Sequence, residues 1–100
     1  TGPKRSPLLP DVPTAQEAGL KDFDVTIWFG VLAPAGTPDT VVDRLNREIV
    51  AVMSTDEMKK RMQVDGAEAH TTTPSEFAAL IKRDTAKWGP VVKASGATLD

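Results

Sequence analysis

The chain has 100 residues, 40 % of them hydrophobic and 26 % charged, with 12 basic against 14 acidic side chains and a formal net charge of −2. This balance suits a soluble globular chain and supplies no basic excess for a nucleic-acid backbone. No cysteine and a single histidine exclude disulfides, thiolate zinc sites, cysteine nucleophiles and multi-histidine metal centres.

Residues 1–13 read as an extended arm. Pro3, Pro7, Pro10 and Pro13 each lack an N–H and bias the preceding residue away from helix. Residues 13–19 predict a short helix, with Pro13 at its start and Gly19 at a left-handed stop. Residues 23–32 predict a strand. Phe23, Val25, Ile27, Phe29 and Val31 alternate with Asp24, Thr26, Trp28, Gly30 and Leu32 at a period of two.

Thr37-Pro38-Asp39 opens the next predicted helix, with Thr37 as cap and an inward stripe of Val41, Leu45, Ile49 and Val52/Met53. Ser54 and Glu57 have the spacing of a capping box. A second short helix follows, with Met58 and Met62 inward, and stops at Gly66. Residues 67–71 predict a short strand. Thr73-Pro74-Ser75-Glu76 is a further capping box, and Phe77, Leu80, Ile81 and Trp88 predict the buried stripe of a long helix. Gly89-Pro90 predicts a kink or a tightened turn in it, with the apolar stripe carried across to Val91 and Val92, and Gly96 its end. The predicted fold class is α/β, with few strands packed against about three helices.

Chemistry-bearing residues are sparse. His70 lies among hydroxyls at Thr71, Thr72, Thr73 and Ser75, which reads as a solvated loop histidine, since triads are recognised by geometry and not by sequence nearness. Asp56, Glu57, Asp65 and Glu68 have no metal-loop spacing. The prediction is therefore no catalysis, no metal and no cofactor. Trp28, beside Thr26 on the less apolar face of the predicted strand, reads either as a packed aromatic or as the wall of a ligand cleft.

Arg5-Ser6-Pro7, Leu9-Pro10-Asp11-Val12-Pro13-Thr14 and Glu17-Ala18-Gly19 resemble the hallmark run of the Bug family, the extracytoplasmic solute receptors of tripartite tricarboxylate transporters. Trp28-Phe29-Gly30, then Ala33 to Pro38, Leu45-Asn46, Gly66, and Trp88 with Val91-Val92 continue the pattern. The resemblance implies the C-terminal part of a receptor with a type II periplasmic-binding-protein-like fold. Residues 1–20 would leave the second lobe or the hinge, and residues 21–100 would form the C-terminal portion of the first lobe, around a crossover strand. It implies a periplasmic location, a small carboxylate ligand, membrane transporter subunits as partners, and no reaction. Thr26 and Trp28 are the candidate ligand-binding residues, from their hinge position alone. An apolar strand without sheet neighbours also predicts a homodimer, through residues 23–32 or 1–13. The alternatives are a stand-alone α/β interaction domain and, more remotely, a hydrolase around His70.

Overall fold

The computed structural model describes residues 2–98, so the first residue of the arm and the last two of the predicted C-terminal portion lie outside the described residues. Three helices follow one another between residues 39 and 95: α1 (Asp39–Met53), α2 (Asp56–Val64) and α3 (Pro74–Ser95). No strand is present among the described residues, so the fold is all-helical and the predicted α/β class is corrected. The chain divides into two compact units, Thr1–Ala33 and Pro34–Asp100.

The reason for the missing strands is physical. Alternation selects residues that suit a pleated surface, but a strand exists only where a second backbone completes the hydrogen-bond ladder. Residues 23–32 and 67–71 have no such neighbour among the described residues and form no ladder. The longer segment therefore leaves most of its apolar side chains wet, with Ile27 79 % and Phe29 96 % exposed.

In the first unit, the predicted helix at 13–19 is a single turn. Thr14, one residue later than the expected start, opens it. The Thr14 hydroxyl accepts the Glu17 N–H at 3.2 Å, and Glu17 Oε2 accepts the Thr14 N–H at 2.8 Å, a reciprocal capping box. Gly19, at φ 101°, closes the turn. Its N–H bonds the Gln16 carbonyl and the Leu20 N–H bonds the Ala15 carbonyl, which is the Schellman pattern. A left-handed residue at that place is what ends the helix after one turn.

In the second unit, α1 touches both α2 and α3. Its apolar residues cover about half of the helix circumference, and the half that turns inward is not the expected one. Val42, Asn46 and Val50 are half-buried together with Met53, which the expected stripe did include, whereas Val41, Leu45, Ile49 and Val52 are exposed. Asn46 Nδ2 donates to the Thr72 carbonyl at 2.8 Å, which ties α1 to the chain just before α3. On α3, Phe77, Leu80, Ile81 and Trp88 do lie on one half-buried face, whereas Val91 and Val92, expected to continue it past Pro90, are exposed. No described apolar side chain is fully buried.

The caps explain where the helices begin. Pro38, not Thr37, is the N-cap of α1, and the Thr37 hydroxyl donates backward to the Pro34 carbonyl at 2.8 Å. Ser54 closes α1, donating to the Val50 carbonyl, and Thr55 takes the expected place of Ser54 as the cap of α2. Thr73 and Glu76 form the expected capping box of α3, with Pro74 as its first residue. Helix α3 runs on through Pro90, although proline has no N–H to give the carbonyl one turn back.

Candidate functional site

The sequence-derived candidates Thr26 and Trp28 lie on the extended segment of the first unit. Thr26 Oγ1 donates to Asp24 Oδ1 at 2.8 Å, so its hydroxyl is held by a residue of the same segment. Gly2 comes close to the same hydroxyl, since a Cβ there would stand 3.7 Å from Thr26 Oγ1. Trp28 is 38 % exposed, so part of its ring is open to solvent. Upstream, Gln16 Nε2 donates to the Phe23 carbonyl at 3.4 Å, which joins the one-turn helix to the start of the segment. Thr26 and Asp24 thus present an oriented hydroxyl–carboxylate pair, and Trp28 follows two residues later in the sequence.

A second constellation went unforeseen in the sequence. Arg5 Nε donates to Glu17 Oε2 at 2.8 Å, and Arg5 Nη1 donates to the Pro10 carbonyl at 3.0 Å. The Glu17 carboxyl is held below the ordinary carboxylate range, first by the Arg5 side chain and then by the Thr14 N–H. Thr14, 7 % exposed, is the buried polar residue at the centre of this cluster. The Thr14-x-x-Glu17 spacing was the available signal for half of it. Nothing in the spacing marks Arg5, which lies twelve residues from its partner.

Around this cluster, Lys4, Arg5, Ser6, Leu9, Val12, Pro13 and Thr14 line an open depression of about 160 Å³. A second depression, of about 290 Å³, lies on α1 beside Glu48, Ile49, Val52 and Met53. Both fall below the roughly 300–1,000 Å³ of pockets that enclose a small ligand. His70 is exposed and acts only at a distance, its field adding to the lowering of the Glu76 carboxyl after the Thr73 backbone and side chain. Among the described residues no three His, Cys, Asp or Glu side chains converge, and no helix is long and apolar enough to cross a membrane.

Comparison with known proteins supplies the context that the geometry lacks. Residues 1–97 match the family described as tripartite tricarboxylate transporter family receptor. A UPF0065 protein from the tcbD-tcbE intergenic region of a Pseudomonas species is 39 % identical over 89 residues, covering 88 % of this chain and 26 % of that protein. Protein BugT of Bordetella pertussis is 33 % identical over 95 residues, covering 95 % of this chain and 29 % of its own length. A UPF0065 protein from the clcB-clcD intergenic region of Pseudomonas knackmussii is 31 % identical over 88 residues, covering 87 % of this chain and 52 % of its own. The chain therefore spans between about a quarter and a half of the length of these relatives. No solved structure matches significantly. The match spans both units and includes the clustered Arg5, Pro10, Thr14 and Glu17, and on this ground the chain belongs to the tripartite tricarboxylate transporter receptor family.

Proposed function

We propose that the chain is the C-terminal portion of an extracytoplasmic, periplasmic receptor that captures a small carboxylate and hands it to the membrane subunits of a tripartite transporter. The observation that carries this reading is the family match along residues 1–97. On this reading the protein is a binding protein and not an enzyme. Residues 1–20 leave the second lobe or the hinge, and residues 21–100 belong to the first lobe. Residues 23–32 then become a crossover strand when the remainder of the receptor supplies its neighbours. The half-exposed ring of Trp28 and the hydroxyl of Thr26 form part of the cleft wall. Receptor closure around the ligand is a hinge motion, driven by contacts that only the closed state makes. In isolation the same unpaired segment favours a homodimer of this chain.

A chimera tests the reading. The 95 residues aligned with the Bordetella relative replace their counterpart in that protein, and its melting temperature is followed against a panel of C4–C6 di- and tricarboxylates. A ligand that binds only the folded state raises the melting temperature. The expected result is a cooperative melt that at least one carboxylate raises, with a smaller rise after Trp28→Ala. A cooperative melt that no carboxylate moves overturns the carboxylate reading.

A further inference from the structure

Arg5 has a place in the structure that the receptor reading leaves unused. The arm is poor in backbone donors because of its prolines, and its backbone amides bond only locally among the described residues, Leu8 N–H to the Ser6 hydroxyl, Leu9 N–H to the Ser6 carbonyl and Val12 N–H to the Leu9 carbonyl. None of these ties the arm to the turn that follows. The Arg5 guanidinium does so from both sides, through the Pro10 carbonyl at 3.0 Å within the arm and Glu17 Oε2 at 2.8 Å within the turn. The same Glu17 oxygen also accepts the Thr14 N–H at 2.8 Å. Arm and cap therefore share one acceptor atom, Glu17 Oε2. The planar fork of arginine is suited to this, because two of its N–H groups point to different acceptors at fixed angles, whereas lysine presents a single mobile ammonium.

We infer that Arg5 is a positioning residue, whose guanidinium locks residues 4–20 into one rigid knuckle and so fixes the direction in which the chain passes from the arm to the segment at 23–32. Resting on the receptor reading, this stretch lies where the chain crosses between lobes, and the knuckle keeps its geometry while the lobes move.

The test uses the 100-residue chain, with ¹⁵N relaxation and amide exchange measured on the parent, Arg5→Met, Arg5→Lys and Glu17→Gln. In the parent, the arm amides that can be observed should have order parameters near the rigid value of about 0.85. In Arg5→Met they should fall below about 0.6. Exchange at the Thr14 amide should quicken roughly two- to fivefold, the range an exposed ion pair supports. Arg5→Lys keeps a charge for Glu17 but not the fork, so Thr14 protection should stay near the parent's while the arm loosens. Glu17→Gln should loosen both, with α1 to α3 unaltered. Parent-like arm order in Arg5→Met overturns the inference, and so does loss of α1 to α3 along with the arm, which marks a general packing role. None of these readouts involves a ligand, so failure of the carboxylate reading in the chimera leaves the inference to be judged separately.

Discussion

Two glutamates in this chain carry out the same local task. Glu17 accepts the Thr14 N–H and Glu76 accepts the Thr73 N–H, each at 2.8 Å, and each stands three residues after its threonine. Both carboxyls are held low. Glu17 is lowered first by Arg5 and then by the Thr14 backbone, and Glu76 first by the Thr73 backbone and then by the Thr73 side chain. A carboxyl whose folded value lies below its unfolded value of about 4.3 contributes stability above that value and loses it as pH falls through the folded one. Helical content followed by circular dichroism should therefore begin to drop as pH falls below about 4.3. Glu76→Gln should remove the part of that drop that belongs to α3. Thr73→Ala removes the acceptor for the Glu76 N–H. It should cost about 1 kcal/mol in urea unfolding, the usual effect of losing such a cap.

At the scale of the element, the two halves of the apolar arc on α1 differ in what covers them. Asn46 is polar, yet its amide spans from α1 to the Thr72 carbonyl, so Asn46→Ala should cost about 1 kcal/mol in urea unfolding. Leu45 is apolar but 49 % exposed, so Leu45→Gln should stay within about 0.5 kcal/mol. The sequence alone ranks these two in the opposite order. Apolar periodicity identifies the helix but cannot say which half of a wide apolar arc meets a neighbour, because both halves are apolar. Caps and stops were far more legible. Thr73, Pro74, Glu76, Gly66 and Gly96 stand where local chemistry alone put them, since a cap or a left-handed glycine needs only its own turn. The errors at Thr37 and Ser54 are of one residue each, the cap falling on the next residue in the chain, Pro38 and Thr55. The strand at 23–32 was illegible for a different reason. Its pattern is correct for a strand, and the ladder that makes a strand depends on atoms elsewhere. Of the site, the Thr14–Glu17 half was present in the spacing, and the Arg5 half became visible only when the arm folded back.

For the molecule as a whole, the exposed apolar segment and the family match lead to the same expectation. Ile27, Phe29, Val31 and Leu32 are each more than 70 % exposed, and the chain covers 26–29 % of two of its relatives. Such a surface drives association. Ile27→Lys with Phe29→Asp should shift sedimentation from dimer toward monomer at high micromolar concentration while leaving the urea midpoint unchanged, because neither side chain packs closely in the folded chain. A cleft for a small carboxylate needs two walls, and on the receptor reading this chain supplies one. Calorimetric titration of the 100-residue chain with the same C4–C6 carboxylates is therefore the most direct check. The account predicts no heat beyond dilution, and micromolar binding to this chain alone would contradict it.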